Sequence, residues 1–134
     1  MREILFRGKR IDNGDWVYGD LIHNIDCVKV RERETDINRI AKSYEVIPET
    51  VGQYTGLKDI NGKKIFEGDI VKLITKGARN HSIYQLFYDV ETGQLLMKNG
   101  EMIEDCENFY GKLAITNTGV IGNVFDNKEL LEEV

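Results

Sequence analysis

Four carboxylates lie near the middle of the chain: Glu49, Asp59, Glu67 and Asp69. Paired carboxylates can hydrolyse glycosides or hold a divalent cation, and both chemistries need set distances inside a cleft. Each acid also has a structural use. Asp59 can pair with Lys64 across a hairpin, Asp69 can accept turn N–H groups beside Gly68, and Glu49 follows Pro48 at an expected turn. A carboxylate-dependent hydrolase is therefore the third of three function classes carried forward.

Other reactive side chains are sparse. The serines are Ser43 and Ser82, the histidines His23 and His81, and the cysteines Cys27 and Cys106. His81 adjoins Ser82, but neighbours on one loop do not build a triad. There is no CxxC, and His23 and Cys27 on one strand would stand about 13 Å apart at ~3.3 Å per residue, too far for one metal ion. The cysteines are expected to be reduced and packed. Phosphate-cradling motifs, Walker A or GxGxxG, are absent. These observations predict no cofactor and no metal.

Aromatic and basic residues suggest different chemistry. Trp16 and Tyr18 alternate on one strand opposite Lys9 and Ile11, and Tyr84, Phe87 and Tyr88 lie further along. Small β-barrels bind single strands by stacking bases on aromatics in a basic groove, which makes a nucleic-acid-binding β-barrel protein the second class. The net charge of −5 opposes it. Duplex DNA is an unexpected partner, because no helix-turn-helix pattern appears.

The elements that position these residues follow from length and turn chemistry. The chain has 134 residues with 13 glycines and one proline, enough to bury a core without staples and suited to tight hairpins. No apolar run reaches transmembrane length, and MREILFRGKR lacks the core of a signal peptide, which predicts a cytoplasmic protein with no membrane contact. Asn13-Gly14 and Asn61-Gly62 each predict a two-residue type I′ turn. The first register then sets Ile11 opposite Trp16, Lys9 opposite Tyr18, Phe6 opposite Leu21 and Gly8 opposite Gly19, the glycines marking a bend or a close approach by another backbone. The second sets Asp59 opposite Lys64.

Further strands are expected over 25–33, 44–47, 70–74, 83–90, 94–98, 113–116 and 120–125. Glu67-Gly68-Asp69 reads as a sharp corner, Glu91-Thr92-Gly93 as a three-residue hairpin loop, 75–82 as a loop, 101–110 as a helical turn, and the tail from Asp126 as a short capped helix. Short strands joined by tight turns predict a mainly β fold, a small barrel or sandwich. The expected division is an N-terminal hairpin part, 1–54, and a barrel-like C-terminal part with a short helix, 55–134. These carry net charges of −1 and −4.

FRGKRIDNGDWVYGDL, IPETVGQYTGLKDINGKKIFEGDIVKL and VIGNVFDNKELL, in that order, resemble the YopX family of phage and prophage proteins. The resemblance spans nearly the whole chain and implies a mostly β fold in two parts, without a cofactor. It marks Glu49, Thr50, Gly56, Asp59, Gly62, Glu67, Gly68 and Asp69 as motif positions.

The leading expectation is a non-enzymatic bacterial phage or prophage accessory protein that acts by contact with phage or host proteins and by self-assembly. The N-terminal hairpin is apolar on both faces near its open end (Ile4, Leu5, Phe6, Leu21, Ile22). Its Arg7, Lys9 and Arg10 can meet Glu101, Glu104, Asp105 and Glu107 of a second copy. Phe6, Arg7, Lys9, Arg10, Trp16 and Tyr18 are thus the expected interaction residues.

Overall fold

The computed structural model describes residues 3–74, 83–100, 102–106 and 114–131. It is mainly β, as expected, with two antiparallel sheets. The chain divides into two compact units, Met1–Tyr54 and Thr55–Val134.

The first unit holds β1 (Phe6–Lys9), β2 (Trp16–His23), β3 (Val28–Arg31), β4 (Ser43–Glu45), a 3-10 turn (Pro48–Thr50) and the start of β5 (Gly52–Lys58). Their order is β4-β3-β2-β1-β5. Beyond β4, Val46 forms an antiparallel bridge with Arg10, so the pairing returns to β1. Strand alternation puts Val17, Leu21, Val28 and Val30 on one face, where they pack with Val46 and Val51.

The first hairpin is real, but its register differs from the expected one. Phe6 faces Gly19, Arg7 faces Tyr18, Gly8 faces Val17 and Lys9 faces Trp16. Arg10 and Asp15 close a four-residue loop, with Gly14 N–H donating to the Arg10 carbonyl at 3.1 Å. A type I′ turn needs positive φ at both central residues. Only Gly14 has it, at 75°, while Asn13 does not. Asn13 instead accepts the Asp15 N–H on its side-chain oxygen at 2.9 Å. The offset is two residues, so every side chain keeps its expected face. Both glycines do meet a close approach, but of different neighbours: Gly8 lies under the Val46 side chain and Gly19 against the Arg31 backbone.

The second unit takes the rest of β5, then β6 (Lys64–Phe66), β7 (Asp69–Leu73), β8 (Ile83–Asp89), β9 (Gln94–Asn99), β10 (Met102–Asp105), β11 (Thr118–Asn123) and a 3-10 turn (Lys128–Leu131). β6 neighbours β5, and the other five strands run β10-β9-β8-β7-β11. Ile65, Val71, Leu86, Leu95, Met97, Cys106 and Ile115 form the core. The corner at Glu67-Gly68-Asp69 stands as expected between β6 and β7.

Several local expectations are corrected. The hairpin at Asn61-Gly62 closes Asp59 against Lys63 rather than Lys64. The β8–β9 loop has four residues, since Asp89 faces Gln94, with Gly93 at φ 69°. Residues 102–105 form a strand rather than a helical turn. Asn99-Gly100, a third Asn-Gly pair, starts that hairpin with Gly100 at φ 58°. Ala114–Thr116 form a helical turn rather than a strand. There the Thr118 hydroxyl donates to the Ile115 carbonyl at 2.6 Å, and Asn117 N–H donates to that of Ala114. The tail helix is a single 3-10 turn. Asn123, not Asp126, caps the preceding bend by accepting the Phe125 and Asp126 N–H groups. The expected loop at 75–82 lies outside the described residues.

Candidate functional site

The long central motif begins where the ladder on β1 is interrupted. Arg10 faces Val46, yet Arg7 faces Gly52, so three steps along β1 match six on the other side. The Pro48–Thr50 turn takes up the excess and would leave the Lys9 N–H without a ladder partner. Thr50 supplies one. Its hydroxyl accepts from Lys9 N–H at 2.9 Å and donates to the Ile47 carbonyl at 2.6 Å, and the residue is buried. Glu49, beside it, is exposed.

Thr50→Val keeps the shape and removes both bonds. It should destabilise the first unit by about 1–3 kcal/mol, the cost of a buried group left unsatisfied. Thr50→Ser should recover most of that loss. Trp16 is the only tryptophan and lies opposite Lys9, so its fluorescence during urea unfolding reads this directly. Equal midpoints for the valine variant and the wild type would remove the argument.

The same device recurs in the second unit. Gly56 takes φ 85° within β5, and the neighbouring Thr55 hydroxyl spans it, accepting Leu57 N–H at 3.2 Å and donating to the Ile65 carbonyl at 2.7 Å. Asp69 accepts Phe66 N–H at 2.8 Å across the Glu67-Gly68 corner. Gly68 itself donates to the Leu86 carbonyl and accepts from Val124 N–H.

Asp59 is the most heavily engaged. One carboxylate oxygen accepts Asn61 and Lys63 N–H, each at 2.8 Å, which organises the turn carrying Gly62. The other accepts Val120 N–H from β11 at 3.0 Å. Beside it, Ile60 N–H donates to the Thr118 carbonyl. The hairpin tip thus caps the outer edge of β11. Burial pushes the Asp59 carboxyl up. The three backbone N–H groups and the Lys63 charge outweigh it and hold the group below the ordinary carboxylate range.

Of the four acids weighed for catalysis, Asp59 and Asp69 are spent on backbone N–H groups of the second unit, Glu67 is half-buried at the corner before β7, and Glu49 is exposed in the first unit. Among the described residues, no three His, Cys, Asp or Glu side chains come together as a metal site. Cys27 and Cys106 are both free thiols.

The expected interaction residues are dispersed by strand alternation. Arg7 and Lys9 share a face with Trp16 and Tyr18, whereas Arg10 falls on the other. The Arg7 guanidinium lies 4.8 Å from the centre of the Trp16 ring, and Arg7 is only 5% exposed. Arg10 stacks 3.9 Å over Tyr44 and forks onto Asp12 at 2.9 and 2.7 Å. That pairing raises the arginine and lowers the aspartate from their ordinary values. Phe6 is half-buried, and Tyr18 is exposed. Of the acidic stretch, Glu104 and Asp105 stand on the outermost strand, β10, while Glu101 and Glu107 lie outside the described residues.

The polar stretch 34–43, which reads in sequence as a loop or a short helix, is the loop between β3 and β4, and the sequence does not mark its isoleucines as surface residues. Ile37 and Ile40 are 97% and 91% exposed there, and Ile25 at the β2–β3 tip is fully exposed. The only sequence signal was isoleucine within a charged run.

Comparison with known proteins places this geometry. A family model described as YopX protein matches residues 5–132. A solved structure, the crystal structure of protein EF1440 from Enterococcus faecalis, is similar over 98% of this chain and 99% of its own, with a TM-score of 0.60 and 21% identity. At that identity the likeness concerns the fold. No curated protein matches.

Proposed function

The chain belongs to the YopX protein family, and from that membership we propose a non-enzymatic phage or prophage accessory protein that works through protein–protein contacts, self-assembly among them. The observation that carries this reading is where the motif's chemistry goes. Thr50, Thr55, Asp59 and Asp69 are buried and bind backbone groups of their own unit, which gives them a structural use. The surface, in contrast, presents whole isoleucine side chains at loop tips.

The proposed setting is the bacterial cytoplasm. Among the described residues, no helix is long and apolar enough to cross a membrane. Duplex DNA is not a proposed partner, since an acidic chain releases few counterions. Stacking bases on Trp16 would also compete with the Arg7 guanidinium already over that ring.

Size exclusion with light scattering tests the proposal. A mass above the 15.4 kDa monomer at ~100 μM is expected, because a specific interface of standard size holds well below that concentration. An unchanged monomer would end self-assembly. Sub-micromolar binding of random duplex at ~0.15 M salt would displace the whole reading in favour of nucleic-acid binding.

A further inference from the structure

We propose that the Asn99-Gly100 turn is a self-modification site, at which Asn99 converts to isoaspartate with water as the only co-reactant and thereby loosens β10. The proposal goes beyond the self-assembly reading and needs no partner.

The Gly100 backbone nitrogen gives its proton to solvent and attacks the Asn99 amide carbon, Cγ. An N–Cγ bond forms, the Cγ–Nδ2 bond breaks, and Nδ2 leaves with a proton as ammonia. Water then opens the cyclic imide. Cleavage of the new N–Cγ bond gives aspartate. Cleavage of the original peptide bond gives isoaspartate, in which the chain runs through Cγ. No electrons change hands. Glycine suits the attacking position because no Cβ shields its nitrogen.

The chain has three such pairs, Asn13-Gly14, Asn61-Gly62 and Asn99-Gly100, and their surroundings set them apart. At the first, both reacting groups are engaged. Gly14 N–H donates to the Arg10 carbonyl at 3.1 Å, and the Asn13 side-chain oxygen accepts Asp15 N–H at 2.9 Å. At the second, the attacking nitrogen is engaged, with Gly62 N–H donating to the Asp59 carbonyl at 3.0 Å. Those bonds must break before attack, which slows it. At the third, neither the Asn99 side chain nor the Gly100 N–H is hydrogen-bonded among the described residues. A Cβ at Gly100 would meet no atom within 4 Å, so the attacking residue stands in open space. Asn99 borders an open recess of about 250 Å³, which admits the water.

The site also governs a strand. Gly100, at φ 58°, opens the turn that sets Asn99 opposite Met102. The pairs beyond it, Ile103 with Lys98, Glu104 with Met97 and Asp105 with Leu96, take their register from that turn. Isoaspartate lengthens the backbone there by one carbon and displaces the turn. β10 is the outermost strand of its sheet, where pairing is lost first. At its end, Cys106 is wholly buried, with its N–H donating to the Leu95 carbonyl at 3.1 Å. Loosening β10 therefore bares a thiol that the fresh chain hides.

Peptide mass spectrometry and thiol labelling of a Cys27→Ser chain aged at pH 8 test this. In the folded chain Asn99 should convert about tenfold or more faster than Asn13, the factor that breaking two hydrogen bonds beforehand puts on a rate. Asn61 should fall between them. In urea the three rates should converge, because the dipeptide is the same. Cys106 should become reactive toward an aromatic disulfide in step with isoaspartate at position 99. Asn99→Ser, which cannot cyclise, should keep Cys106 hidden over the same time. No isoaspartate at Asn99 in the folded chain, or rates at Asn13 or Asn61 equal to its own, would overturn the site. Isoaspartate at Asn99 with Cys106 still hidden would overturn the loosening of β10, and the proposal with it.

Discussion

Asp59→Asn is expected to cost the second unit about 2–4 kcal/mol, because it replaces a charged triple acceptor with a group that must turn an NH2 toward a backbone N–H. Hydrogen bonds to charged groups are each worth about 1.5–3 kcal/mol, and a buried donor left facing a donor adds its desolvation cost. The loss should spread to both places the carboxylate joins. The amides of Asn61 and Lys63 on the hairpin, and of Val120 on β11, should exchange with solvent faster than in wild type.

The pH dependence gives a second reading of the same group. Its carboxyl lies below the ordinary value in the folded chain. Its stabilisation is therefore complete above the unfolded value of about 3.9 and fades as pH falls through the lower folded value. Other acids titrate there too, so the informative quantity is the gap between wild type and Asp59→Asn. That gap should be wide at pH 7 and narrow toward pH 2.5, as followed by circular dichroism in urea. A gap of the same size at both pH values would show that the charge contributes nothing.

Much of this fold was readable because turn chemistry is local. Asn-Gly pairs and the Glu67-Gly68-Asp69 corner marked true reversals, and apolar alternation marked β2, β8 and β9. What local signals do not set is loop length by one or two residues. Asn13 can enter the left-handed region or bond its side chain to the Asp15 N–H, and both choices look alike in sequence. The strand at Met102–Asp105 was missed because its acids suggest solvent. An outermost strand tolerates them, since charge on an edge discourages further pairing. The motif carboxylates carried the opposite hazard. Asp59 was readable as a turn residue, but its bond to Val120, sixty-one positions away, exists only in three dimensions.

The glycines of the first unit lead to a graded expectation, with Gly19→Ala the most damaging. A Cβ there would fall onto the Arg31 carbonyl, 2.7 Å from its carbon and 3.1 Å from the Glu32 Cα. The obstacle is backbone, held by the pairing of Asp20 with Arg31, so relief requires β2 and β3 to part. Overpacking costs typically 1–3 kcal/mol and occasionally more; a backbone obstacle places this site at about 3 kcal/mol or above. Gly8→Ala meets the Val46 side chain at 2.8 to 2.9 Å. That β-branched neighbour is stiff but can shift, which puts the cost at about 1–3 kcal/mol. Gly14→Val meets open space apart from Lys9 Cε at 3.7 Å, and its penalty comes from the positive φ, about 1–2 kcal/mol. Trp16 fluorescence in urea should rank the midpoints Gly14→Val above Gly8→Ala above Gly19→Ala. Shortening the obstacle separates the last two. Combining Val46→Ala with Gly8→Ala should cost less than the two changes summed, because one makes room for the other, whereas no side-chain substitution can relieve Gly19. A Gly19→Ala chain as stable as Gly14→Val would mean that β2 and β3 are not held as closely as their pairing shows.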